Sequence, residues 1–329
     1  MTRWTHHGGK LNEARRWFGE GRDPWIDLST GINPLGWPVE KAPAIDWRGL
    51  PGDALLAELE QNAARHFSVD PAHLCALPGS EAGLRLLRGI IAGNVLHGAA
   101  CYRTHRDIHP DGRAFIPGVD DPALLDGNIL LIANPNNPDG GLLDKVQLNA
   151  LLERQTSSDG WLVLDEAFAD CLPDISMADR IADDRRLLIF RSFGKFFGLA
   201  GIRLGFVIGP RATIARFRER LGSWPVSTAA LVIGAAAYAD RDWITTTQAR
   251  LIEQAATLDG LLHAHGLSPQ GACPLFRLIV TDVATTLFAR CARHAILTRP
   301  FDENAGWLRI GLPADAAALA RLDRALEGG

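Results

Sequence analysis

The sequence has no block of Lys and Arg, no CxxC pair and no apolar run long enough to cross a bilayer. Each absence removes a class of function. With 34 Lys and Arg against 38 Asp and Glu, the net charge is −4, and nothing supplies the electrostatic footprint that nucleic acid requires. The most apolar segment, AALVIGAAAYA (229–239), is too short and too rich in alanine to span a membrane and reads as a buried helix. The opening MTRWTHHGGK lacks the apolar centre of a signal peptide. Five cysteines (Cys75, Cys101, Cys171, Cys273 and Cys291) show no metal-ligand spacing, and their odd count suits small core residues in a reducing compartment. The expectation is a cytoplasmic protein with no metal, no nucleic-acid partner and no membrane contact. Internal repeats and low-complexity segments are absent too.

What is present fits an ordinary globular protein. A chain of 329 residues can bury a large core and form two subdomains, and 47% apolar with 22% charged residues is ordinary for such a protein. Residues 1–49 are rich in Gly, Pro and Trp (HHGGK, STGINPLGWP) and read as an extended arm packing with a small domain. From Leu50 the pattern alternates: LLAELEQNAARHF is an amphipathic helix, HLCAL a strand, and SEAGLRLLRGIIAG a helix entered through Pro-Gly-Ser. NILLIAN (128–134), WLVLDEA (161–167), RLLIFRS (186–192) and RLGFVIG (203–209) are short apolar runs of strand length, as a parallel sheet buried on both faces requires. Beyond Arg211 come long helices (211–220, 228–240, 243–265), then FRLIVTD, the helix ATTLFARCARHA, and the strands AILTRPF and WLRIGL. The expected fold is α/β: a large domain with a mostly parallel central sheet over 50–212 and a smaller α+β domain over 213–329.

Ligands in open parallel sheets sit beyond the carboxyl ends of the strands. Four polar groups fall there: Gly79-Ser80-Glu81 after HLCAL, Asn137 in NPNNPDG, Asp165 at the end of WLVL, and Ser192 with Lys195 after LLIFR. Each has a plain alternative. Pro-Gly-Ser before a helix serves as an N-cap or offers free N–H groups to an anion. NPNNPDG is a loop or a ligand set. Asp165 ends an apolar strand, where a buried carboxylate wants a charged partner. Lys195 is a surface lysine or an amine of lowered pKa beside phenylalanines, able to attack an aldehyde.

NPNNPDG, LDEAF, SFGK and GIRLGF, in that order and spacing, resemble the pyridoxal-phosphate (PLP) enzymes of the aspartate aminotransferase fold, the fold-type-I class I/II superfamily. That resemblance makes Lys195 the Schiff-base lysine and pairs Asp165 with the protonated pyridine nitrogen. Asn137 would bond the ring hydroxyl, and Gly79, Ser80, the Glu81 backbone N–H, Ser192 and Arg203 would hold the cofactor phosphate. His105, in YRTHRD, takes the position of the aromatic that stacks on the ring. Arg309, in WLRIGL, matches the arginine that binds the substrate carboxylate. HGGK (7–10) and DLSTGINPLGWP (27–38) are similar to the N-terminus of the L-threonine-O-3-phosphate decarboxylases of cobalamin biosynthesis. That implies a substrate pocket of His7, Gly8, Gly9, Asn33 and Asn137, with Arg299 in ILTRPF for the substrate phosphate; His6 and His7 alone would read as a loose terminal pair.

The same resemblance implies a homodimer acting on a small phosphorylated amino acid, with Lys195 a proton donor at Cα. Two rivals remain: an aminotransferase of the histidinol-phosphate type, and a PLP-binding module without catalysis, which here lacks the DNA-binding segment such regulators carry. Three positions depart from the pattern. Phe168 stands where a tyrosine often donates to the ring hydroxyl, which should raise the pKa of the cofactor-linked Lys195 nitrogen. Leu50 replaces a tyrosine that reaches the neighbouring subunit's cofactor phosphate. Lys10 replaces an asparagine after HGG and adds positive charge for a phosphorylated substrate.

Overall fold

The computed structural model describes residues 4, 7–20, 23–117 and 120–327, so His6 lies outside the described residues. The chain divides by its contacts into two units: Gly36–Asn137 with Leu142–Thr247, and residues 1–35 with Pro138–Gly141 and Gln248–Gly329. These boundaries fall at 35/36 and 247/248, where the sequence pattern suggests 49/50 and 212/213.

The first unit is built on seven strands: β1 (Leu74–Leu77), β2 (Val95–Gly98), β3 (Arg113–Phe115), β4 (Ile129–Ala133), β5 (Trp161–Asp165), β6 (Leu187–Ser192) and β7 (Gly205–Ile208). Their order in the sheet is β1-β7-β6-β5-β4-β2-β3. All neighbours are parallel except β7, which runs antiparallel to both β1 and β6. An apolar run buried on both faces looks the same in either direction, so RLGFVIG carried no sign of its reversal. β2 and β3 were not expected at all; β3 is three residues long and partly exposed, too weak a pattern to read.

The sheet is apolar because both faces are covered. One face packs Leu77, Val163, Leu188, Phe190 and Val207 against Leu84, Leu87, Ile214 and Phe217 of the flanking helices. The other meets the helices Asp53–Phe67 and Thr228–Ala239, where Phe67 and Tyr238 stand edge-on to Phe206 at 5.7 and 5.5 Å. The SEAGLRLL segment is a helix only over Ser80–Leu86, then tightens to a 3-10 turn through Gly89. No helix among the described residues is long and apolar enough to cross a membrane.

In the second unit, the strand Trp307–Gly311 lies between Arg299–Pro300 and Phe276–Val280 in an antiparallel sheet that ends at Pro269–Gln270. The arm is less extended than its composition suggests. It forms a helix over Leu11–Phe18, and Ile26–Asp27 pair in parallel with Ile296–Leu297. Trp4, Phe18, Trp25 and Phe288 close into an aromatic cluster with centroids 5.6–6.2 Å apart.

Candidate active site

The antiparallel course of β7 brings its start to the edge where β1, β4, β5 and β6 end. Ser192 and Leu77 both pair with Gly205, while Asp165 pairs with Ala133 and Phe190. A cavity opens along that edge, and Gly79, Ser80, Glu81, Asn137, Asp165, Ser192, Lys195 and Arg203 all line it.

Local sequence explains how Lys195 comes to face the cavity. Phe193–Phe196 is a single helical turn whose phenylalanines, with Phe197, are fully buried. Phe193 and Phe197 stack at 4.4 Å between centroids. With three large apolar anchors buried, Lys195 and Gly194 face the cavity, and Lys195 Nζ lies 5.8 Å from the Phe168 ring centroid.

Two glycines shape the opposite wall. Gly79 has φ +91°, in the left-handed region, and an added Cβ would lie 2.8 Å from the Arg203 guanidinium. At Gly205 an added Cβ would lie 2.4 Å from the Ser80 backbone nitrogen. The backbones of β7 and the Ser80 turn therefore approach as no side chain would allow, which gathers the N–H groups of Ser80 and Glu81 beside Arg203. The Glu81 carboxylate is engaged elsewhere: it accepts from Arg85, from Tyr102 Oη at 3.1 Å and from Thr104 Oγ1 at 3.1 Å.

Asp165 is buried, accepting from the Ala167 N–H at 3.2 Å and from His105 Nε2 at 2.9 Å. His105 is fully buried and lies outside the cavity lining, so it does not stack on a ligand there. Tyr102, one helical turn earlier, lines the cavity instead. Tyr102 caps the Arg103–Asp107 helix and His105 lies within it, and no strand legible before it tells which of them points inward. Burial, with the Glu81 carboxylate adding to it, pushes the Tyr102 phenol up to about 12, so it remains a neutral ring.

Behind the cavity a buried ion network ties β5 to β6. Arg191 Nη1 donates to Glu166 at 2.7 Å and Nη2 to Asp170, and His66 Nε2 meets Asp170 at 2.9 Å. Burial alone would raise the Asp170 pKa, but Arg191 and His66 outweigh it and hold it below the usual range. Glu166 follows Asp165 and Arg191 precedes Ser192, so the network fixes the backbone on which two cavity residues stand.

The remaining sequence-predicted residues belong to the second unit. Arg299 and Arg309 are Cα partners on neighbouring strands, and both are buried. Arg309 donates to the Ser29 carbonyl at 2.9 Å and lies 4.7 Å from the Phe276 centroid; Arg299 lies 5.0 Å from that of Phe301. Ser29 Oγ accepts from the Gly9 N–H at 2.8 Å, and a Cβ on Gly8 would lie 2.5 Å from the Ser29 oxygen. HGG, Ser29 and Arg309 thus form one packed group; His7 at its edge is exposed. Asn33 is buried, its Oδ1 accepting from Leu35 N at 3.0 Å and Arg250 at 3.4 Å. Arg250 had no motif to mark it. Lys10 Nζ is 3.9 Å from Glu13, an exposed pair.

Comparison with known proteins follows the same lines. The model of the family "Aminotransferase class I and II" matches residues 90–327. A threonine-phosphate decarboxylase of Pseudomonas aeruginosa is 37% identical over 98% of this chain and 97% of its own. A histidinol-phosphate aminotransferase of Sinorhizobium meliloti, solved in complex with pyridoxal-5'-phosphate, has the same fold: TM-score 0.79, 19% identity, 96% of this chain and 93% of that one. So does an L-threonine-O-3-phosphate decarboxylase of Porphyromonas gingivalis, with TM-score 0.71, 20% identity, and coverage of 91% and 98%. The chain belongs to the class I and II aminotransferase family and, within it, to the threonine-phosphate decarboxylases.

Proposed function

We propose that this protein decarboxylates L-threonine O-3-phosphate with pyridoxal 5'-phosphate as cofactor. The observation that carries the reading is the pair Arg299 and Arg309, two buried guanidinium groups in register on adjacent strands. Guanidinium groups bind anionic ligands through charge-assisted hydrogen bonds. A substrate carrying both a carboxylate and a phosphate supplies two such groups. Histidinol phosphate, which has no carboxylate, supplies one.

The first unit suits the cofactor. The approach of Gly79 and Gly205 to Arg203 and Ser80 makes a cradle that any Cβ would fill. In this reading Ser80, Ser192, Arg203 and the Glu81 N–H hold the cofactor phosphate. Asn137 would bond the ring hydroxyl, Tyr102 would cover the ring in place of His105, Asp165 would pair with the pyridine nitrogen, and Lys195 would hold the cofactor covalently. The bound cofactor supplies an electron sink for the bond between Cα and the carboxylate. Arg309 would hold the substrate carboxylate and Arg299 its phosphate, and His7, Gly8, Gly9, Asn33 and Asn137 would line the substrate pocket. Once the substrate amine has displaced it from the cofactor, Lys195 Nζ would deliver the one proton that Cα takes up as CO₂ leaves. The product is (R)-1-amino-2-propanol O-2-phosphate, a precursor of the cobalamin nucleotide loop. Cofactor residues all fall within 50–212, and substrate residues fall mostly in the 1–49 arm and the 213–329 domain.

The working unit in this reading is a homodimer in the cytoplasm. Exposed Trp47, Leu50 and Trp224, at 79%, 68% and 57%, suit burial by a second copy, and all five cysteines are free, as in a reducing compartment.

The deciding experiment mixes PLP-loaded protein with L-threonine O-3-phosphate and measures CO₂ and aminopropanol phosphate. Equal release of both, lost in Lys195→Ala, supports the reading. Amino transfer from histidinol phosphate to a 2-oxo acid, without CO₂, would replace it with the aminotransferase.

A further inference from the structure

Polar contacts behind the cavity continue beyond Asp165. His105 gives Nε2 to Asp165, and its other ring nitrogen, Nδ1, is buried with no hydrogen-bond partner among the described residues. His109 stands four residues later on the same winding turn, where Ile108 N donates to Thr104 O and His109 N to Arg106 O. The helix Arg103–Asp107 has ended there, and the two imidazoles are near enough for His105 to act electrostatically on His109. His109 is 9% exposed, and its Nε2 is likewise buried with no partner among the described residues.

Two orphaned ring nitrogens on neighbouring buried histidines are costly unless they serve one another. Their chemistry is complementary. A neutral His105 that donates from Nε2 to Asp165 has Nδ1 as an acceptor, and a neutral His109 protonated at Nε2 is a donor. A third histidine closes the group: a Cβ on Gly112 would lie 2.8 Å from the His109 carbonyl and 3.3 Å from His97 Cδ2. His109 also lines a second cavity, with Arg88, Asn94 and Asp111, beside Val95 and Ile129 where β2 and β4 begin. The histidines thus lead from one edge of the sheet, where the cofactor residues are, toward the other.

We propose that His109 is a positioning residue for Asp165: it donates to His105 Nδ1, directly or through one water, and so keeps His105 neutral. A neutral His105 leaves the carboxylate charge of Asp165 for the pyridine nitrogen, whereas an imidazolium would compete for it. The charged and titratable groups facing His109 are Arg88, Asp111, His97 and His105. Burial first, then Arg88, His105 and His97, hold the His109 pKa below its ordinary value, which keeps it the neutral donor this arrangement needs.

The inference rests on the cofactor reading above, and its test separates the two. Wild type, His109→Gln and His109→Leu are compared by PLP titration of the apoprotein and by imidazole ¹⁵N NMR of the holoprotein. Glutamine retains an amide donor; leucine has none. The expected result is a PLP Kd raised about tenfold in His109→Leu and within about twofold of wild type in His109→Gln, with the His105 ¹⁵N signals altered in His109→Leu alone. Unchanged PLP affinity and His105 signals in His109→Leu would overturn the proposal. Equal losses in both variants would do so too, because shape rather than the donor would then matter. Should His109→Leu fail to fold, the wild-type spectrum decides: an imidazolium His105 at pH 7 sinks the idea. If wild type itself binds no PLP, it is the cofactor reading that fails.

Discussion

Arg299 and Arg309 stand directly opposite each other on adjacent antiparallel strands, each over an aromatic ring and each nearly closed off from water. Two guanidinium groups side by side suit the two anionic ends of L-threonine O-3-phosphate.

The two arginines should separate in kinetics. Arg309→Ala should lower kcat/KM for L-threonine O-3-phosphate by about 10- to 100-fold, the worth of one charge-assisted contact. Arg299→Ala should do the same for the phosphorylated substrate but change turnover of unphosphorylated L-threonine little. Equal losses on both substrates would remove Arg299 from the phosphate role.

How far the sequence revealed this site depends on the kind of signal. Asp165, Ser192 and Lys195 were legible because the end of an apolar strand is written in the chain itself. Tyr102 was not, since choosing between it and His105 needs the register of β2, a strand too short to anticipate. The facing of Arg299 and Arg309 is also a matter of register between separate strands, which neither segment encodes alone. Arg250 lies within the helix Arg241–Ala264 and His109 in the turn after Arg103–Asp107, neither with a spacing rule, so only their contacts single them out.

The network of Arg191, Glu166 and Asp170 should be stabilising only while complete. Arg191→Met leaves two buried carboxylates without their cation and should cost about 3–5 kcal/mol in chemical denaturation. A loss below about 1 kcal/mol would mean that His66, with the Ser176 hydroxyl that donates to Glu166 at 2.6 Å, suffices to hold the acids.

Acid sensitivity follows from Asp170, whose pKa is held down in the folded protein. A depressed carboxyl contributes stability that is fully present above its unfolded pKa, about 4, and is lost as pH falls through the lower folded value. Unfolding free energy measured from pH 5 downward should therefore fall more steeply in wild type than in Asp170→Asn. Parallel curves would show that Asp170 does not carry the effect.

Close approach at Gly205 predicts a local defect with a functional readout. Gly205→Ala places a methyl 2.4 Å from the Ser80 nitrogen and 2.8 Å from the Arg191 carbonyl. Backbone atoms cannot yield as a side-chain tip would, so the cost should be about 1–3 kcal/mol. PLP affinity should weaken alongside, because the displaced Ser80 turn carries the phosphate N–H groups. Full stability with normal PLP binding would show that the cradle is not shaped by this contact.

Phe168 offers the most direct probe of the cofactor's electronic surroundings. It lines the cavity 5.8 Å from Lys195 Nζ and has no hydroxyl to donate to the ring oxygen of the cofactor. Without that donor, negative charge on the ring oxygen is less stabilised, and the nitrogen linking Lys195 to the cofactor holds its proton to higher pH. Phe168→Tyr adds one hydrogen bond to the deprotonated form. One such bond is worth about 1.4 kcal/mol, so the midpoint of the pH-dependent cofactor absorbance should move down by about one unit. A midpoint that stays put or rises would mean that a tyrosine hydroxyl here does not reach the ring, and that the charge on the Lys195 nitrogen is set instead from the Asp165 side.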